Sequence, residues 1–484
     1  MIDVDRRTQY FVVNVAGALL DGLRSRDAAA RNALAESVLK PLSQNVAPER
    51  LRLYLPATNR GLPSARLMLS YTFPDAPSMV ETRNNVEKHL CSVPQPGPMA
   101  VLDAPLIVNA GADPLAQFAH GVETLFPVHG TRSLARQIMR ADVLATNDNL
   151  GQGVNVAIVD QGLDREALVA RYTENVWGGR LDFVGDWPPD QDDASQVQRA
   201  TRPHAKSHGL MIARNVLDLA PRAKLWDVPI IPDQIGDPAF FASRVHAILE
   251  DLLQEILARK RKGIDERWVV VNAWAVYDRS REWPPGDYSQ NRHEELYVKL
   301  TDAQRKELNY KPGHPLINTV GDLVDAGADV VFCAGNCGQF SASPRCSASD
   351  RGQGRSIWGA NAHPHVVTVG AVSVAANWLG YSSEGPAVWI NGNRHTRIEK
   401  PDIVAPSHFA EDDDAAHLNT GTSAATALVA GAIAALRSRG SRCRDLPPAV
   451  LRSRLIETAR GGAGGWDPRT GHGIIDLAPF CAVS

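Results

Sequence analysis

Two short apolar runs, each closed by a polar residue and a glycine, limit this chain more than any other feature. They are Val154-Asn155-Val156-Ala157-Ile158-Val159-Asp160-Gln161-Gly162 and Val330-Val331-Phe332-Cys333-Ala334-Gly335-Asn336-Cys337-Gly338. Runs of this length, bounded by glycine and without strict alternation, read as strands covered on both faces, as in the parallel sheets of α/β proteins. Such sheets present their chemistry at the carboxyl ends of the strands. Asp160 and Asn336 stand at those ends.

A third segment, Asn419-Thr420-Gly421-Thr422-Ser423-Ala424-Ala425-Thr426, is a small turn followed by the apolar run from Ala427 to Leu436. It delivers one hydroxyl to the mouth of a hydrophobic helix. There the first-turn N–H groups are unsatisfied and the helix dipole favours developing negative charge. Taken alone, Ser423 fits an ordinary helix N-cap equally well. A fourth segment, Ser207-His208-Gly209-Leu210-Met211-Ile212-Ala213, sets a histidine at the start of an apolar helical stretch, and Gly209 leaves room for another backbone. A nucleophilic serine needs a base, and the imidazole needs a buried carboxylate to fix its tautomer. Asp160, His208 and Ser423 supply all three in the chain order aspartate, histidine, serine. The Asn336 carboxamide can donate to an oxyanion beside the Ser423 N–H. Gly-Asn-x-Gly is also good left-handed turn chemistry, the plainer reading of Asn336.

On these residues the chain resembles the subtilisin family of serine peptidases, from about Leu134 to Asp476. Ala157-Ile158-Val159-Asp160-Gln161-Gly162 matches the family's aspartate motif and His208-Gly209 its histidine motif. Ala334-Gly335-Asn336 matches its oxyanion motif, and Gly421-Thr422-Ser423-Ala424 its nucleophile motif. Lys400-Pro401-Asp402-Ile403-Val404-Ala405-Pro406 resembles the proline-bounded strand before the serine, and Gly471-His472-Gly473-Ile474-Ile475-Asp476 the closing motif. The resemblance implies a serine endopeptidase with Asp160, His208 and Ser423 as triad and Asn336 in the oxyanion hole. It implies an α/β fold, a subtilisin-like domain with a mainly parallel sheet flanked by helices. It further implies protein or peptide substrates held by Trp274, Ala275 and Val276 on one side and Ala334 and Gly335 on the other.

The departures lie around the triad. Leu210-Met211 follow His208-Gly209 where the family usually has Thr-His, and Ala424-Ala425 follow Ser423 where it usually has Met-Ala. The specificity strand reads Asn272-Ala273-Trp274-Ala275-Val276-Tyr277 in place of a small Ser-x-Gly segment. Trp274 or Tyr277 therefore either narrows the primary pocket or turns away from it. A catalytically inactive member serving as a protein-binding module is the alternative function.

Hydrophobic content of 44% and charged content of 22% belong to a soluble globular protein, and 484 residues bury an ample core. A net charge of −3 gives no reason to expect nucleic acid or an anionic membrane as partner. Met1 to Arg7 lacks the basic-then-apolar arrangement of a secretory signal, so a cytoplasmic protein acting in regulated intracellular proteolysis is expected. No cofactor or metal is expected. Cys333, Cys337 and Cys346 near His363 and His365 do not form a tidy paired-ligand pattern. Buried thiols are the expectation for the cysteines, with a Cys337–Cys346 bridge as the alternative.

Residues 1–104 read as a smaller α+β domain. Strands are expected at Tyr10–Val15, Leu51–Leu55, Leu67–Thr72 and Met99–Leu102, with helices over Arg26–Leu39 and Ser78–Leu90. That order is ferredoxin-like, and subtilisin propeptides share it; the other reading is a permanent regulatory domain that docks a protein partner. Residues 105–133 form the expected linker and 134–484 the peptidase domain, with a polar insertion at about 278–315.

Overall fold

The computed structural model describes residues 8–16, 29, 51–54, 64–72, 99–102, 130–172, 174–181, 208–230, 238–275, 315–343, 346, 348–391, 394–412, 418–462 and 465–481. The expected helices at 26–39 and 78–90 fall outside these apart from Ala29, as do the body of the insertion, His204 and His417.

The first four strands are β1 (Thr8–Ala16), β2 (Leu51–Tyr54), β3 (Ser64–Thr72) and β4 (Met99–Leu102). They form an antiparallel sheet in the order β2-β3-β1-β4. This is the strand order a β-α-β-β-α-β chain makes when each crossover skips one position, so the sheet agrees with the ferredoxin-like expectation.

The main sheet has nine strands. In chain order these are β5 (Val154–Asp160), β6 (Trp177–Arg180), β7 (Lys224–Pro229), β8 (Arg267–Asn272), β9 (Asp329–Cys333) and β10 (Val367–Val372). After a hairpin of β11 (Ala387–Asn391) and β12 (Arg394–Ile398) comes β13 (Ile403–Pro406). The short pair β14 (Phe409–Ala410) and β15 (Leu418–Asn419) precedes the serine turn, and β16 (Arg460–Gly461) and β17 (Gly473–Ile474) complete the sheet. The order is β16-β17-β13-β10-β9-β8-β5-β7-β6. Every pairing in it is parallel except β16 with β17.

Burial explains why β5 reads as an unbroken apolar run: all seven of its residues are buried. Val156 and Ile158 face one core, with the histidine helix (His208–Leu219) and the serine helix (Gly421–Leu436). Ala157 and Val159 face the other, with helices Pro238–Arg261 and Pro315–Asp325. A strand covered on both faces has no polar side to alternate with.

The serine helix is buried at all sixteen positions, so it is apolar all round rather than striped. A Cβ on its Gly431 would lie 2.7 Å from the Val216 carbonyl oxygen. That glycine is what allows the serine and histidine helices to pack backbone to backbone. Among the described residues no helix is long and apolar enough to cross a membrane.

Candidate active site

Asp160 ends β5 and is 1% exposed. His208 opens its helix, as the apolar run after it requires, and its Nδ1 lies 2.9 Å from each Asp160 carboxylate oxygen. The Gln161 N–H donates to Asp160 Oδ1 at 2.8 Å, and Gln161 Oε1 accepts the His208 N–H at 3.2 Å. Carboxylate and imidazole are thus locked from both ends. A Cβ on Gly209 would come 2.7 Å from the Gly162 carbonyl oxygen. The glycine after the histidine therefore meets the close backbone approach that the sequence implied.

Ser423 is the third residue of its helix, buried, and its Oγ donates to the Ala273 carbonyl at 3.1 Å. This contact sets the Ser423 hydroxyl against the segment that continues β8. Thr420, the N-cap residue, makes no side-chain cap bond. The cap comes instead from Asn336, whose Oδ1 accepts from the Thr422 N–H at 3.0 Å and from Thr422 Oγ1 at 2.9 Å. Those two donors fix the carboxamide with its oxygen on the helix, which leaves the amide nitrogen as the donating end. That Nδ2 and the Ser423 Oγ lie 3.2 and 3.7 Å from the point where a Cβ on Gly421 would stand. Gly421 has a φ of +72° and Gly335 a φ of +97°, left-handed backbone that glycine accommodates without strain. The Asn336 amide and the Ser423 hydroxyl thus border one small space floored by a glycine.

The substrate-binding expectations divide. A Cβ on Gly335 would lie 3.3 Å from the Ala275 Cβ, so the segments that continue β8 and β9 come close at Ala275 and Gly335. Ala334 is buried with Ile357, Ala362 and Ala387. The Trp274 ring turns into the second core, edge-on to Phe332 at 5.3 Å between centroids. It follows the turned-away alternative and offers the cleft its backbone rather than its ring. Val276 and Tyr277 lie outside the described residues.

Cys337 and Cys346 are joined in a disulfide, which corrects the thiol expectation for this pair in favour of its alternative. They stand nine positions apart, and the loop between closes on itself because the Ser343 N–H donates to the Asn336 carbonyl at 2.8 Å. Cys333 and Cys443 are buried and form no disulfide, and burial pushes the Cys333 thiol up to about 12, so it stays protonated.

Sequence reading missed a buried polar cluster behind the serine turn. Arg132 donates to Glu411 through Nε at 2.5 Å and Nη2 at 2.6 Å, and to Asn215 Oδ1 at 3.0 Å. Asn215 in turn donates to Asn419 Oδ1 at 2.9 Å. The cluster joins the start of helix Arg132–Ile138, the histidine helix and β15. Arg214 also faces Glu411 at 3.5 Å, and burial lowers it, while Arg132 is raised by Glu411 against its own burial. Thr131 also bridges to Ala410, so the chain is sewn into this domain from Gly130 onward. Only the unusual burial of a charged pair 279 positions apart marks it, and sequence spacing carries no such signal.

An amide donor set at the start of a buried helix lowers the energy of an oxyanion more than that of a neutral carbonyl. Asn336→Ala is therefore expected to lower kcat by about 10²–10³ with KM much less changed. Since Asn336 also caps the serine helix, the variant should melt at a lower temperature. Steady-state kinetics and a thermal melt check this, and a loss confined to KM would make Asn336 a binding residue instead.

Residues 266–473 match the model of the subtilase family, Peptidase_S8. Over 184 residues the chain is 30% identical to Mycosin-1 of Mycobacterium tuberculosis. That stretch is 34% of this chain, and the chain spans 40% of the length of this relative. Similar solved structures include MycP1 from Mycobacterium smegmatis, 18% identical with a TM-score of 0.44, covering 78% of this chain and 95% of that one. The MycP3 protease of the type VII (ESX-3) secretion system is 18% identical with a TM-score of 0.43, covering 73% and 89%. Sphericase is 17% identical with a TM-score of 0.40, covering 75% and 98%.

Proposed function

We propose that this subtilisin-like chain is a serine endopeptidase that cleaves protein substrates through an acyl-enzyme. His208 takes the Ser423 proton as the oxygen attacks the peptide carbonyl, then gives it to the leaving amine. Asp160 holds the tautomer that keeps Nε2 as the accepting nitrogen and stabilises the imidazolium. The Asn336 Nδ2 and the Ser423 N–H receive the oxyanion. Water, deprotonated by the same imidazole, then releases the acyl group and restores the serine. The observations that support this most are two contacts between segments far apart in the chain, His208 with Asp160 and Asn336 with the serine turn, on helices that pack against each other. A fluorophosphonate probe tests it directly: covalent labelling of the wild type is expected, and its absence would favour the binding-module reading.

The N-terminal sheet is proposed to act as a propeptide. Its strands β1 and β3 lie against helix Pro238–Arg261, on the face of the sheet opposite the serine helix. If so, wild-type protein should cleave itself after Asp103 and no later than Gly130, since Thr131 and Arg132 are held by Ala410 and Glu411. Ser423→Ala protein should stay full length. N-terminal sequencing decides the matter, and an intact Met1 or Ile2 in fully active enzyme would favour a permanent regulatory domain.

A role in regulated intracellular proteolysis is part of the same proposal, and the Cys337–Cys346 pair bears on it. Disulfides persist in oxidising compartments and are reduced in the cytosol. Thiol counting on acid-quenched protein from its native cells is the test: a reduced pair fits the cytoplasm, and an intact bridge would place the enzyme outside it.

A further inference from the structure

We infer, on the peptidase reading, that Asn215 and Asn419 are positioning residues that set the register of the histidine helix against the serine turn. Asn215 stands seven positions after His208, two turns along the same face of the helix. Asn419 closes β15, four positions before Ser423. Both residues are wholly buried, and Asn215 Nδ2 donates to Asn419 Oδ1 at 2.9 Å.

The direction of this bond is imposed from outside it. Arg132 offers only donors, so its Nη1 contact at 3.0 Å has to meet the Asn215 oxygen. The Glu411 carboxylate offers only acceptors, so the contact from Asn419 at 3.2 Å has to come from Nδ2. The nitrogen of one amide is thereby turned toward the oxygen of the other. Two bonds from Arg132 to Glu411, at 2.5 and 2.6 Å, close the ring. The remaining amide hydrogens go to the Met211 and Phe409 carbonyls at 3.0 and 3.5 Å.

Such a ring is a poor way to gain stability. Buried charges lose their hydration, and apolar residues of the same volume often hold a core equally well. What the ring adds is direction. The apolar side chains that the two helices share in the core fix how far apart they lie, and a Cβ on Gly431 would stand 3.2 Å from the Asn215 carbonyl oxygen. Non-directional packing leaves one helix freer to slide along the other. The amide pair resists that slide, because a shift of about 1 Å takes the bond out of range. His208 heads one helix and Ser423 is the third residue of the other, so a slide misaligns imidazole and hydroxyl. A misplacement of about 1 Å at the reacting groups costs about 100-fold in rate.

The test compares the full chain of wild type with Asn215→Asp and Asn215→Ser. The first keeps the shape and the Arg132 contact but sets an oxygen against the Asn419 oxygen. The second can still donate to the Met211 carbonyl but is too short to reach Asn419. Each should lower kcat about 10- to 100-fold with KM changed less than about twofold, measured well below the melting temperature. Fluorophosphonate labelling should slow in step with kcat, since both need the serine proton removed. Asn419→Asp alone, which turns a carboxylate on Glu411, should lose as much. Adding Glu411→Gln to it should recover most of the loss, because the new amide donates where the old carboxylate accepted. If Asn215→Asp does not fold, Asn215→Ser decides. An unchanged kcat beside a lowered melting temperature, a loss confined to KM, or no recovery in the exchanged pair would overturn the inference. Failure of the wild type to label would instead overturn the peptidase reading itself.

Discussion

Ser423→Ala is expected to abolish fluorophosphonate labelling and to lower peptide hydrolysis by about 10⁶-fold, a scale set by subtilisin itself. The substitution removes one oxygen, which touches Ala273 at 3.1 Å, and no packing atoms. The sixteen-residue helix around it is buried by Ala, Leu, Val and Ile contacts that stay in place. Its melting temperature should therefore stay close to the wild-type value, since a single neutral hydrogen bond contributes about 1 kcal/mol. Near-wild-type hydrolysis by this variant would remove Ser423 from the mechanism.

His208→Ala should cost about as much, because a triad acts as a unit and its losses do not add. The double variant His208→Ala/Ser423→Ala should thus be scarcely slower than either single one. His204 and His417 are the competing histidines near the two motifs, and His204→Ala and His417→Ala should remain active. The pairing of His208 Nδ1 with both oxygens of the buried Asp160 is the reason His208 is taken as the base. Full activity in His208→Ala, with loss in either control, would move the base to another histidine. Comparing kcat/KM across the four proteins is sufficient.

Asp160, His208 and Ser423 were legible because each ends or opens an apolar segment, and a glycine marks where backbones crowd. Gly209 against the Gly162 carbonyl shows the signal at its clearest. The four N-terminal strands were legible for the same reason, as alternating or apolar runs between polar stretches. What escaped are relations between residues far apart in sequence. The sequence suggests Asn336 as an oxyanion donor, but not that its carboxamide oxygen also caps Thr422, 86 positions away. The direction of Trp274 depended on Phe332 lying across β8 and β9, which no local pattern reveals. The Cys337–Cys346 bridge depends on how the loop closes on the Asn336 carbonyl rather than on the spacing alone.

The Arg132–Glu411 pair gives a shortened chain a precise point of no return. A new N-terminus created before Gly130 leaves the pair intact, and the domain keeps Arg132 as its anchor. A cut only a few residues later strips the guanidinium from a carboxylate that is 4% exposed on its side chain, and from Asn215 on the histidine helix. Removing one partner of such a buried pair costs about 3–5 kcal/mol, comparable to the whole stability margin of many domains. Trimming by other peptidases would therefore be tolerated up to that residue and self-terminating beyond it. The survival of a trimmed chain is thus set by whether the cut falls before or after Arg132.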